Sequence, residues 1–369
     1  MSGAAAPLFS PLKVGRMNLK QRVVLAPLTR FRADENHTHT DLAVKYYDQR
    51  SSTPGTLLIT EATFIAARAG LYKQAPGIWS KEQIAAWRKV TDKVHANGSY
   101  IYVQLWALGR VADPQLLKDT TGADVVSASD IPVAEGATKP RPLTVEEIKE
   151  FISAYEAAAR NALEAGFDGV ELHAANGYLP DQFLQDLSNN RTDAYGGSIE
   201  NRARFILEVI EKLVSVVGQD RVGIRLSPWS IYQNMGMKDP VPQFSYVVEQ
   251  LAQKHPHLAY IHAVESRVDG SDDTAKLRAH AQLDFIRKIW GDDKVLMRAG
   301  GYDRDSALKI TEAEPNTLVA VGRYFTSNPD LPRRWKQNVA LEPYNRAVFY
   351  AQGQAEGYAD YKMVTEVEA

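Results

Sequence analysis

The chain contains no cysteine in its 369 residues. Disulfides, thiolate zinc sites, iron–sulfur clusters and a cysteine nucleophile are therefore excluded, and the composition fits a reducing compartment. No apolar run approaches the roughly 20 residues that a membrane-spanning helix needs. Residues 1–8 have neither a basic start nor a long apolar stretch, so no secretory signal is expected there. The ending Glu366-Val367-Glu368-Ala369 matches no lipidation or retention signal. Charge of one sign is also lacking. The 43 Lys and Arg against 45 Asp and Glu leave a net charge of −2, which points away from nucleic acid and anionic membranes. No G-x-G-x-x-G follows a strand pattern, so no Rossmann pyrophosphate site is expected. No carboxylate pair or metal-ligand cluster stands out either, and the expected metal content is none. A cytoplasmic protein acting on a small molecule is the expectation.

What the sequence does have is rhythm. Short apolar runs at 22–27, 56–61, 100–106, 169–173, 222–226, 259–264, 294–299 and 317–322 alternate with amphipathic stretches. Ser80-Lys81-Glu82-Gln83 is a capping box that opens a helix ending near Ala96. Thr144-Val145-Glu146-Glu147 opens another, ending near Glu164 with Gly166 just beyond. Residues 201–217, 241–254, 303–312 and 332–339 complete most of a helical ring. Eight βα units in succession predict an α/β fold, a closed (β/α)8 TIM barrel, as one domain over residues 1–369. An open doubly wound sheet is the competing architecture. Residues 8–20, with Pro11, Gly15 and Asn18, predict a hairpin that caps the barrel bottom. Residues 107–141, after the third strand, predict a long loop over the mouth. No heptad pattern marks a partner, so a monomer and a homodimer are equally open.

Active sites in such barrels sit where the strands end. Side chains alternate across a strand. In the third strand Ile101, Val103 and Leu105 would face the helices, and Tyr102, Gln104 and Trp106 would point inward. In the fourth, Glu171 and His173 would point inward, and in the fifth Gly223 and Arg225. Gln104, His173 and Arg225 would thus converge on one mouth, either as a functional set or as a polar network of the core. Gly300 and Gly301 follow the seventh strand, and Gly322 and Arg323 follow the eighth. These two loops bind a phosphate in many barrels, since glycine lets backbone N–H groups approach an anion. One phosphate site without a Rossmann motif implies a mononucleotide cofactor.

The run from His173 to Leu184, HAANGYLPDQFL, resembles the Old Yellow Enzyme family, and so does NRTDAYGGSIENR from Asn190 to Arg202. Shorter motifs agree in order: Ala26-Pro27-Leu28-Thr29-Arg30, Ile59-Thr60-Glu61-Ala62, Pro76-Gly77-Ile78-Trp79-Ser80, Gln104-Leu105-Trp106, Ala299-Gly300-Gly301-Tyr302-Asp303 and Gly322-Arg323. The resemblance runs from about Leu8 to Tyr361 and is strongest to fungal members. It implies an FMN-dependent ene-reductase. NADPH or NADH would serve as a transient hydride donor in a ping-pong reduction of the C=C bond of unsaturated aldehydes, ketones or nitroalkenes.

The resemblance also implies residue roles. Pro27, Leu28 and Thr29 would line the flavin, with the Thr29 hydroxyl on the ring carbonyl near the redox nitrogen. Ala62 would offer a backbone N–H, and Gln104 would meet the mixed donor and acceptor edge of the pyrimidine. Arg225 would stabilise the anionic reduced ring, because a buried Arg otherwise needs a carboxylate. Gly300, Gly301, Gly322 and Arg323 would hold the phosphate. On the substrate side, His173 and Asn176 would donate to the enone oxygen, and Tyr178 would protonate the α-carbon. Tyr72, Trp106, Phe349 and Tyr350 would form the pocket walls. The tail departs from the family pattern at Gln352 and Gln354, where small glycines are common. Alternatives are a flavin barrel acting on nitrate esters or peroxides, an isomerase, a non-catalytic flavin-binding redox protein, and a flavin-free hydrolase or aldolase barrel.

Overall fold

A computed structural model describes residues 6–270, 272–273 and 282–364. Residues 1–5 and the ending 366–369, where no targeting signal is expected, lie outside the described residues. Eight short runs rich in Val, Ile, Leu and Ala pair side by side as parallel strands. They are β1 (Val23–Leu25), β2 (Leu57–Phe64), β3 (Tyr100–Trp106), β4 (Gly169–Ala174), β5 (Val222–Leu226), β6 (Tyr260–Val264), β7 (Leu296–Ala299) and β8 (Thr317–Val321). Each pairs with its neighbour in chain order, and β8 pairs with β1, so the sheet closes into a barrel. The competing open sheet is ruled out by that closure.

Ile101, Val103, Leu105, Val170, Leu172 and Ile224 pack outward against the helical layer. Inside the lower barrel, Val24, Leu57, Ile59, Tyr102, Tyr260, Met297 and Leu318 form a second core with Val14, Met17 and Leu19. The last three belong to the antiparallel hairpin Leu12–Val14 and Met17–Leu19. This hairpin presses on the start of β5. Gly15 has φ +52°, and a Cβ there would lie 2.0 Å from the Asp220 carbonyl oxygen. The expected bottom cap is therefore present.

Helices follow the strands. The predicted capping boxes at Ser80/Gln83 and Thr144/Glu147 both form, opening Lys81–Ala96 and Val145–Glu164. The sequence reading did not identify the helix Asp41–Arg50. It buries Tyr46, Tyr47 and the charged Arg50, so no apolar stripe marks its inner face. The segment expected to be one long loop after β3 is more ordered than that. It holds a helix, Pro114–Thr121, capped by Asp113 at one end and by left-handed Gly122 at the other. It also pairs Val126–Ser127 with Arg141–Pro142. These elements are too short to leave a periodic signal. Among the described residues no helix is long and apolar enough to cross a membrane.

Candidate active site

The strands end on one rim, and the groups there line a cavity of about 650 Å³, a size suited to small molecules. β3 contributes Gln104 and Trp106, β4 His173 and β5 Arg225. The register of β2 against β3 shifts between Ile59 and Ala62, an irregularity that lets β2 run on to Phe64 and brings Ala62 to the wall. Pro27, Leu28 and Thr29 follow β1, Tyr72 follows β2, and Gly300 and Gly301 follow β7. Gly322 and Arg323 open the short helix Arg323–Ser327 after β8. Asn176 and Tyr178 stand beyond β4, and Phe349 and Tyr350 arrive from the C-terminal segment. Every residue that the sequence marked for the site lies on this one cavity.

The turn after β4 is held rigidly. Asn176 and Gly177 both have left-handed backbones, φ +56° and +77°. The Asn176 N–H donates to Ser227 Oγ at 2.8 Å, and the Gly177 N–H donates to Asp181 Oδ2 at 2.8 Å. Gln182 donates from Nε2 to the carbonyls of Gly177 and Leu108. The Asp and Gln of the PDQ stretch are therefore turn-fixing residues, buried behind the site. Tyr178 sits just before the helix Leu179–Leu184 and meets Trp106 and His173 edge to face, with ring centroids 5.0 and 4.8 Å apart. Burial pushes the Tyr178 phenol well above its ordinary value, so it stays protonated. Burial pushes His173 well down, helped by the charge of Arg225, so its imidazole is neutral. Buried polar atoms of this lining without a protein partner include His173 Nδ1, Asn176 Oδ1 and Arg225 Nε.

A second set of contacts fixes the C-terminal wall. Arg32 donates five hydrogen bonds, to the carbonyls of Arg30, Val348, Phe349, Gln354 and Glu356. Arg30 reaches Phe349 and Gly357, and Arg50 reaches Tyr46, Thr326 and Tyr358. Tyr358 stacks on Tyr46 with centroids 4.3 Å apart. On the opposite side the loop after β7 is tied down by Arg298, which pairs with Glu265 and Glu314, and by the Tyr302 hydroxyl on Glu265. Gly300 and Gly301 there adopt φ +118° and +66°, conformations that favour glycine.

Sequence reasoning missed other lining residues, notably Phe31, Tyr232 and Gln233. Gln233 and Asn234 both have left-handed backbones, which re-aims the loop after β5 toward Tyr178. A Gln in that conformation leaves no mark in composition or periodicity. The arrangement as a whole offers hydrogen-bond donors and one cation at the floor, glycine-rich backbone at one side, and aromatic walls.

The model of the NADH:flavin oxidoreductase / NADH oxidase family matches residues 7–342. The chain is 53% identical over 364 residues to the chanoclavine-I aldehyde reductase fgaOx3 of Penicillium roqueforti, covering 98% of this chain and 97% of that one. It is 46% identical over 372 residues to a probable inactive dehydrogenase, easA, of Claviceps fusiformis, covering 98% and 96%. Among solved structures, Old Yellow Enzyme from Pichia sp. AKU4542 matches with a TM-score of 0.90 at 40% identity, over 98% of this chain and 95% of that one. Fold, relatives and family model agree along nearly the whole chain, which therefore belongs to the NADH:flavin oxidoreductase / NADH oxidase family and is an NAD(P)H-dependent oxidoreductase that uses FMN.

Proposed function

We propose that residues 1–369 form one catalytic domain that reduces the carbon–carbon double bond of α,β-unsaturated aldehydes, ketones or nitroalkenes. The observation that carries this reading is the shared wall of His173, Asn176 and Tyr178, an unpartnered imidazole nitrogen and a side-chain amide beside a protonated phenol. The relative from Penicillium roqueforti is named for aldehyde reduction, which supports an enal among the substrates. FMN, when bound, would supply the hydride chemistry, with NAD(P)H as the donor.

The residues fit that cofactor. Arg225 Nε is buried and unpaired, so an anionic or carbonyl-rich ring edge would satisfy it. Gln104 can donate and accept at once. Thr29 and the Ala62 N–H would contact the ring, and Pro27 and Leu28 would pack on it. Gly300, Gly301, Gly322 and Arg323 would hold the phosphate, as loops after strands 7 and 8 do in other barrels. Tyr72, Trp106, Phe349 and Tyr350 would confine the substrate over the ring. His173 and Asn176 would donate to the substrate oxygen, which makes the β-carbon electron-poor and stabilises the charge that develops on that oxygen. Neutral His173 can donate from one ring nitrogen only. Tyr178 would then place its proton on the α-carbon. The net charge supports a small-molecule partner over nucleic acid, and the lack of cysteine supports a cytoplasmic location.

Phenols mimic the enolate oxygen, so their binding tests the donor pair directly. Replacing His173 or Asn176 with Ala is expected to weaken phenol binding about tenfold or more, from the roughly 1–3 kcal/mol lost when a buried acceptor is left unsatisfied. Titration of the flavin absorbance with phenol reads this out. Unchanged affinity in both variants removes His173 and Asn176 from the oxygen site.

A second reading, a flavin protein without turnover, draws on the relative named as probably inactive. Quantifying the saturated product formed from 2-cyclohexenone and NADPH separates the two.

A further inference from the structure

Beneath the cavity floor lie two ionisable side chains that do not line the cavity and do not reach solvent. Glu171 stands on β4 and His262 on β6, both fully buried. Glu171 Oε1 accepts a 2.7 Å hydrogen bond from Gln104 Nε2. Its Oε2 lies 2.9 Å from His262 Nδ1. In the barrel register Gln104 is level with Glu171, and Arg225 is level with both His173 and His262. The carboxylate therefore holds one cavity-lining residue from below and is coupled through space to another, Arg225. Gly223 makes room for this layer, since a Cβ there would lie 2.4 Å from the Tyr260 ring. Tyr102 and Tyr260, with centroids 5.7 Å apart, close the barrel underneath.

A carboxylate only accepts hydrogen bonds. Glu171 thus fixes which way the Gln104 amide points, leaving its carbonyl and second N–H for the cavity. Burial pushes the Glu171 carboxyl up, but the His262 ring, the Arg225 charge and the Gln104 hydrogen bond pull it down by more, so it is ionised. Burial pushes His262 down, beyond what Glu171 restores, so it is neutral and donates from Nδ1. The layer then holds one cation, Arg225, and one anion, Glu171. A buried charge pair is costly to keep, and replacing one by apolar residues is often neutral or stabilising.

We infer that Glu171 is a positioning and charge-setting residue for bound FMN: it fixes the Gln104 amide, offsets part of the Arg225 charge, and so keeps the flavin reduction potential below the value Arg225 alone would impose. This rests on the reading above, in which the ring lies against Gln104 and Arg225. The sign follows from charge balance. Hydride transfer from NAD(P)H leaves NAD(P)⁺ and adds one negative charge to the ring, and a fixed anion nearby opposes that gain. His262 supports the carboxylate by donating to it.

The test is an anaerobic redox titration of the FMN-loaded protein against reference dyes. Glu171→Gln, a neutral near-isostere, is expected to retain FMN and to shift the midpoint potential upward. His262→Met is expected to shift it in the same direction, and His262→Asn, which keeps an N–H near the Nδ1 position, to restore the wild-type value. Glu171→Gln with FMN bound at the wild-type potential, or at a lower one, overturns the inference. If Glu171→Gln does not hold FMN, the His262 pair decides: an upward shift in Met with recovery in Asn supports the role, and wild-type potentials in both overturn it. Arg225→Gln separates the inference from the reading beneath it. A potential that ignores Arg225→Gln overturns both, whereas a lowered potential there with none of the Glu171 effect overturns the inference alone.

Discussion

Replacing Tyr178 with Phe leaves reduction of the flavin by NADPH at the wild-type rate and slows alkene reduction by about 100- to 10,000-fold, the usual range for loss of a positioned general acid. The argument is one of geometry and protonation state. Tyr178 is wedged edge to face between Trp106 and His173, so Phe keeps the packing and loses only the hydroxyl. Burial holds the phenol well above its ordinary value, so its proton is present throughout the neutral range. Because the shift is upward, the acid form persists to higher pH than a free phenol allows, and no loss of donor is expected up to about pH 9. The two half-reactions are measured separately by stopped flow. Equal slowing of both would mean that Phe disturbs the cofactor instead of removing an acid.

Replacing Arg32 with Lys is expected to destabilise the protein by about 3 kcal/mol, close to the cost of Ala at the same site. Arg32 spends all five N–H groups on backbone carbonyls, four of them in the C-terminal segment that carries Phe349 and Tyr350 to the cavity. An ammonium group has three donors on one point and cannot satisfy five acceptors spread around a planar fork. Carbonyls left unpaired in the interior each cost on the order of 1 kcal/mol or more. The same change frees the wall, so the substrate KM should rise while FMN affinity, set by residues on the barrel rim, changes little. Urea denaturation and steady-state kinetics measure the two effects. A loss below about 1 kcal/mol with an unchanged KM would show that the tail is held by its aromatic contacts instead.

The strands and the cavity were legible because both follow from short-range rules. Alternation within β3, β4 and β5 decides that Gln104, His173 and Arg225 point inward, and no distant residue can change that parity. The long HAANGYLPDQFL motif carries the turn that presents Asn176 and Tyr178, together with the Asp181 and Gln182 that pin it. The hidden parts depend on contacts far apart in the chain. Arg32 meets carbonyls at 348–356, some three hundred residues away, and nothing local distinguishes it from a surface arginine. Asp41–Arg50 escapes a periodicity search because it buries an arginine and two tyrosines where aliphatic side chains would be expected. Glu171 was legible as inward-facing, but its partner His262 lies on β6, two strands away in the barrel order, and only closure brings the two together. A carboxylate that acts on Arg225 through space is thus present, but it forms no ion pair with the guanidinium, and Nε stays unpartnered.

The central claim is that one cavity takes hydride from NAD(P)H onto FMN and passes it to an activated alkene. An anaerobic visible spectrum of the FMN-loaded protein tests it most directly, recorded before NADPH, after NADPH, and after 2-cyclohexenone. The flavin band should bleach with NADPH and return with the enone. A band that bleaches and stays bleached with enones, enals and nitroalkenes alike would contradict alkene reduction, and a protein that binds no FMN would contradict the whole assignment.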